Sequence, residues 1–437
     1  MPASLFSLPP ELIEHLISFF TGAEIAAFAG TNRALHELIA EDNTHLWRAL
    51  YLAQPYDDPL ELGLIDDVAD FSWAATYKIR YTAENSKSQV RPVVDGIIHT
   101  VRTAPRYSAH SSADMTWATQ LILRNAHMFR DFGEDAVARA LSDTDRETED
   151  RRLRVRAHFP LSLTSPLREV FNKQRQAART YIYDMRNYTK DRQYGPFKDD
   201  FEDAVNWEHV DKIVTVVAAN LRDFGATWPQ PLQPPLLVHG AEALREGSVD
   251  MFRNDDEEVE SNPLDWAGVE GEWMRVVCFC DYRDLFQFNL FQAGSRNQDF
   301  FDEDFEEATR LLRMHMHVTD IDESIPSADP KRPTLRIVGS MRGLSAMEHS
   351  DRTVRGYVTV MPGGDIRWSF VSIHHGEEQW SSEAVQLGGA ASAAGLVGIW
   401  TGAHHNHGDP AGPFWAFKVN EDVFGKDGMG PLGRLYL

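Results

Sequence analysis

The spacing of hydrophobic positions changes along this chain. Behind Leu8-Pro9-Pro10-Glu11, the residues Leu12, Ile13, Leu16, Ile17 and Phe20 recur at helical intervals, and proline suits a first turn whose N–H would have no partner. Gly22 breaks that segment. A second short helix carries Ile25, Ala26, Phe28 and Ala29, and a third begins at the capping types Thr31-Asn32 and carries Leu35, Leu38 and Ile39. Residues 51–110 read as irregular because Pro55, Pro59, Pro92 and Pro105 interrupt the pattern, whereas the Arg-rich residues 111–225 read as helices. The proline density of Trp228 to Pro235 forces extended geometry and marks a connector.

Beyond residue 265 the period drops to two. Arg355 to Met361 and Ile366 to Ile373 alternate around Pro362-Gly363-Gly364-Asp365, which predicts a hairpin. Trp273 to Phe279, Leu311 to Val318, Leu335 to Met341, Leu396 to Thr401 and Phe414 to Val419 read as further strands. Roughly eight strands at such spacing predict an antiparallel β-barrel or β-sandwich, and closure into a barrel would remove exposed edges. The expectation is an α+β chain in four parts: three short helices over 1–50, a mostly helical region over 51–227, a Pro-rich and acidic connector over 228–264, and a β-rich domain over 265–437.

Charge narrows the partners. The 437 residues carry 43 Lys+Arg against 66 Asp+Glu, a net charge of -23, and such a field repels nucleic acid. Of two acidic runs, Asn254 to Glu258 reads as a solvated loop, and Asp302-Glu303-Asp304 with Glu306 and Glu307 reads as a solvated face or the acidic start of a helix. Two cysteines, Cys278 and Cys280, make no disulfide framework and point to a reducing compartment, cytoplasmic or nuclear. No apolar stretch approaches the roughly 18 residues a membrane helix needs, so no membrane partner is expected.

The order Leu8-Pro9-x-Glu11-Leu12-Ile13, a helix near Ile25, Arg33 ahead of a third helix and a closing Leu46-Trp47-Arg48 resembles the F-box over the first 50 or so residues. Ala23-Glu24 and Thr31-Asn32 depart from the family's usual residues without placing a charge on its docking face. The resemblance implies docking onto a Skp-family adaptor, and through it a cullin, by Leu8, Pro9, Leu12, Ile13 and Leu16, with Ile25 from the second helix and Trp47 in the core. Tyr183 to Tyr188, Trp266 to Gly271, Trp380 to Gly389 and Asp409 to Lys418 resemble segments of uncharacterised F-box proteins of mushroom-forming fungi, which carry no known activity. Together these likenesses imply the substrate-recognition subunit of a Skp–cullin–F-box ubiquitin ligase. Its C-terminal domain would recruit a protein substrate, while partner subunits perform ubiquitin transfer. Two alternatives are an F-box receptor whose barrel binds a small molecule, and a metal- or heme-dependent barrel enzyme carrying an F-box.

Chemistry-bearing motifs are sparse. His404-His405-Asn406-His407 with Asp409 has a zinc-like His-x-x-His, but no second ligand pair stands at recognisable spacing, so a turn is expected and no metal. There is no Gly-x-Ser-x-Gly, no phosphate-cradling glycine loop and no catalytic-cysteine context, so neither a catalytic residue nor a cofactor is expected. His315 and His317 share one strand face, and His374-His375 fall at a hairpin end. Among the clustered tryptophans 368, 380, 400 and 415, Trp400 and Trp415 are expected to border one barrel mouth with His404 and Asp409 and to contact substrate.

Overall fold

Short polar side chains set the starts of the first helices. Thr21 and Glu24 form a reciprocal capping box, Asn32 accepts the N–H of Ala34 at 2.7 Å, and Asn43 accepts that of Leu46 at 3.2 Å. In this computed structural model the N-terminal segment therefore makes four helices rather than three: α1 (Pro10–Ile17), α2 (Gly22–Ala29), α3 (Arg33–Leu38) and α4 (Thr44–Leu52). The structure describes residues 5–86, 88–108, 110–129, 143–160, 168–199, 204–223, 233–252, 262–290, 307–344, 352–420 and 423. The acidic runs 254–258 and 302–306 and the proline-rich residues 228–232 lie outside them.

The chain divides into two units, Met1–Met128 and Phe129–Leu437, so the boundary falls inside the stretch read as one helical region. In the first unit, residues 51–110 are not irregular. They hold α5 (Trp73–Asn85) and α6 (Val90–Thr103), followed by α7 (Ala113–Arg124). Pro92 is accommodated because it sits in the first turn of α6, where no N–H is needed. The core joins Ile13, Ile17, Ile25, Leu35, Leu46, Trp47 and Leu50 to Trp73 and Tyr77 of α5. As expected, Trp47 is a core residue; its indole donates to the Ala40 carbonyl at 3.0 Å.

An ion pair holds this unit where no pattern announced one. Arg80 of α5 makes a bidentate bond to Asp114 of α7 at 2.5 and 2.7 Å, with both side chains inaccessible. Tyr56, Tyr51 and Trp117 face the guanidinium at 4.5, 5.4 and 5.5 Å. Asp57 in turn accepts from the Ala113 and Asp114 N–H groups at the start of α7.

The second unit is an eight-stranded closed barrel with helices against one side. Its strands are β1 (Gly271–Phe279), β2 (Ala308–Ile321), β3 (Leu335–Gly343), β4 (Arg352–Val360), β5 (Ile366–His374), β6 (Glu377–Gln386), β7 (Leu396–Gly402) and β8 (Ala411–Lys418). Each pairs antiparallel with its sequence neighbour, and β1 pairs with β8 to close the ring. The Pro362 to Asp365 turn joins β4 to β5 as predicted, with Gly364 supplying a positive φ of 79°. Trp273, Met314, Met316, Leu335, Trp368, Phe370, Leu396 and Phe414 fill the lumen.

Helices α8 (Asp143–His158), α9 (Arg168–Ile182) and α10 (Trp207–Asp223) pack together, and α10 lies against β7, β8 and β1. Two shorter α-helices among the described residues are α11 (Pro235–His239) and α12 (Tyr282–Leu290). Charged pairs sew this layer to the barrel: Arg154 meets Asp365 of the β4–β5 turn at 2.6 Å, and Arg179 meets Glu307 at 2.8 Å. Glu307 is therefore not the start of a helix. It leads directly into β2, and its side chain is buried, taking Arg179 and the Tyr183 hydroxyl.

Asp114→Ala leaves the Arg80 guanidinium buried without its counter-charge. The first unit should lose about 3–5 kcal/mol of unfolding free energy, read from chemical denaturation against the unaltered protein.

Candidate functional site

In the first unit, α1 divides its apolar residues between two faces. Ile13 and Ile17 turn into the core. Leu12 and Leu16, four apart in α1, remain 53% and 39% exposed on one side of it, and Leu8 and Phe19, just beyond its two ends, are 43% and 73% exposed. Pro9 is exposed beside them. The set implied by the F-box resemblance is thus split: Leu8, Pro9, Leu12 and Leu16 stand in the open, whereas Ile13 and Ile25 are core. Ile25 is inside because α2 turns it toward Leu35 and Leu46. Phe19 is the most exposed of the four and had no sequence signal beyond its spacing.

In the second unit the two ends of the barrel differ. At the end where β1 begins, residues 262–270 fold over the opening. Trp266 donates to the Pro333 carbonyl at 2.8 Å, Trp273 to Val269 at 2.9 Å, and the Gln386 amide reaches Ala267 at 3.5 Å. Trp266 packs onto the lumen core, so this end is plugged by apolar side chains.

Toward the other end, where β1 finishes and β8 starts, the lumen becomes polar. Alternation along β1 sends Trp273, Arg275 and Val277 inward. Arg275 is 3% exposed. Its Nη2 donates to the Ser382 hydroxyl at 2.8 Å and its Nη1 to the Met341 sulfur at 3.6 Å, while Nε finds no acceptor. Phe414 and Phe370 flank the guanidinium at 4.1 and 5.3 Å. Burial pushes this guanidinium down to about 9, still cationic at neutral pH. Arg352 stands opposite Met341 in the β3–β4 register, on the same inward face, and its Nε is also buried without an acceptor. No ion pair to Arg275 or Arg352 forms among the described residues. The Ser372 hydroxyl, on the inward face of β5, is a third buried polar atom with no partner.

Trp400 lies at this end, with its indole edge-to-face against Trp380 at 5.2 Å and its Nε1 donating to the Cys278 carbonyl. The β7–β8 loop carries His404, which is exposed, and Asp409, which accepts from the Asn406 N–H at 2.8 Å to tie the turn. His405 stacks on Tyr194 at 3.6 Å. Trp415 does not join them. In β8 it is Phe414 and Ala416 that face the lumen, so Trp415 points outward and is fully buried, with its indole on the Ala394 carbonyl. Arg275 is the residue that sequence reading missed, because it sits inside an apolar strand as a single charge.

The remaining polar groups have structural places. His315 and His317 project outward from β2. His315 borders a groove of about 300 Å³ with Glu272, Arg313, Ser340 and Arg342, in which Glu272 takes Arg313 at 2.6 and 2.8 Å. Cys278 and Cys280 are buried free thiols, and burial raises Cys278 to about 12, far from a thiolate. Among the described residues no three His, Cys, Asp or Glu side chains cluster closely enough to hold a metal ion. Among them, too, no helix is long and apolar enough to cross a membrane.

A lumen cation with no counter-charge among the described residues costs folding energy. Arg275→Met, which keeps the volume and removes the charge, should stabilise the barrel by about 1–4 kcal/mol, read as a shift of the denaturation midpoint. Comparison with known families, curated proteins and solved structures finds no match to this chain.

Proposed function

We propose that the helical unit docks onto a Skp-family adaptor through α1, and that the chain serves as the substrate-recognition subunit of a Skp–cullin–F-box ubiquitin ligase. The observation that carries this reading is a group of large apolar side chains left in solvent, Leu12 and Leu16 on α1, whose other face is already buried, with Leu8 and Phe19 just beyond its ends. Such a group suits a helical partner that covers it. The F-box-like order of residues 8–48 supplies the partner's identity. On this reading the barrel recruits a protein substrate, and bond formation belongs to partner subunits acting in the reducing cytoplasm or nucleus.

A second reading, a receptor whose barrel takes a small molecule, is favoured by one observation: the lumen guanidinium of Arg275 has no counter-charge among the described residues.

The adaptor reading is tested by capture of the full chain on a purified Skp adaptor. Leu12→Asp and Leu16→Asp should each weaken capture by about thirtyfold or more, the scale of one interface hot spot, while leaving the helical circular dichroism unchanged. A wild-type chain that does not bind the adaptor rules the reading out.

A further inference from the structure

We propose that the β8-start end of the barrel lumen binds a small organic acid, whose carboxylate pairs with Arg275 and Arg352 and whose apolar body lies among Phe370, Trp380 and Trp400. The proposal rests on the barrel alone and stands or falls separately from adaptor docking.

The first ground is charge. A buried guanidinium without a counter-ion is costly, and proteins pair such groups or neutralise them with a ligand. Among the described residues Arg275 has neither a carboxylate nor a full set of acceptors: of its five N–H groups, Ser382 and the weakly accepting Met341 sulfur take one each. Arg352 brings a second cation to the same place, as the register partner of Met341. The Nε atoms of both arginines and the Ser372 hydroxyl are orphaned, and all three lie on inward faces of strands at this end. Two donors and a hydroxyl left open in one part of a lumen are what a carboxylate would satisfy.

The second ground is the surroundings. Phe370, Phe414 and Met341 wall the guanidinium, and the Trp380–Trp400 pair lies further along the same lumen face. A multiply charged phosphate would lose much hydration among such walls, whereas an aryl or alkyl carboxylate presents one charge to the arginines and a hydrocarbon body to the rings. The net charge of -23 disfavours polymeric anions and makes this cationic lumen end a local exception. The plug at the opposite end directs any ligand to this one.

The test uses the full chain and two matched pairs of probes, 3-phenylpropionate with 3-phenylpropanamide and octanoate with octanamide. Binding is read by titration calorimetry and by tryptophan emission, since Trp380 and Trp400 line the site. At least one acid should bind, with its neutral amide weaker by about tenfold or more, and Arg275→Met and Arg352→Met should each lower acid affinity by about the same factor with an unchanged circular dichroism spectrum. The acid–amide comparison needs no variant, so it decides the matter even if a substitution unfolds the barrel. Failure of both acids to bind, equal binding of acid and amide, or full binding by folded Arg275→Met protein overturns the proposal.

Discussion

The ladder between Trp273–Val277 and Phe414–Lys418 joins the first strand of the barrel to the last. Every other strand pair joins strands adjacent in the sequence; this one alone converts a twisted meander into a tube. Closure fixes which residues of each strand are inside. Because side chains alternate, it sends Arg275 into the lumen and its neighbours Met274 and Val276 outward. The glycines of the inner face show how tight the ring is. A Cβ at Gly339, Gly356 or Gly398 would meet a carbonyl oxygen of the adjacent strand at 2.1–2.2 Å. These are the points where neighbouring backbones coil too closely to admit a side chain.

Much of this architecture was legible in the residues. The β4–β5 hairpin follows from alternation broken by Pro-Gly-Gly-Asp, and seven of the strands correspond to runs of β-branched and aromatic residues. The strand Glu377–Gln386 was harder, because Glu-Glu-Gln-Trp-Ser-Ser-Glu has few β-formers; its neighbours on both sides impose its conformation. Helices α5 and α6 were obscured by proline, whose effect depends on whether it falls in a first turn or an interior one. Tertiary ion pairs such as Arg80–Asp114 and Arg179–Glu307 join residues 34 and 128 positions apart and leave no local pattern.

The site residues show the same limit more sharply. Trp400 and Asp409 fall at one end of the barrel, as their loop and strand positions imply, but Trp415 turns away, since a strand's inward parity cannot be settled until one of its residues is known to be inside. In α1, Leu12 and Ile13 differ only in which side of the helix each occupies. Adjacent aliphatic residues in a sequence thereby acquire opposite duties, one in the core and one in solvent.

The closing ladder also sets an order of events during synthesis. Strand β8, residues 411–418, supplies the second edge that β1 needs, so β1 keeps an unpaired edge while some 130 intervening residues emerge. The helical unit, by contrast, has all of its core residues in hand by residue 128. A ribosome carrying this chain therefore displays a finished helical unit beside an open, edge-bearing sheet for much of translation. The protein's greatest exposure to misassociation lies in that interval rather than in its folded state.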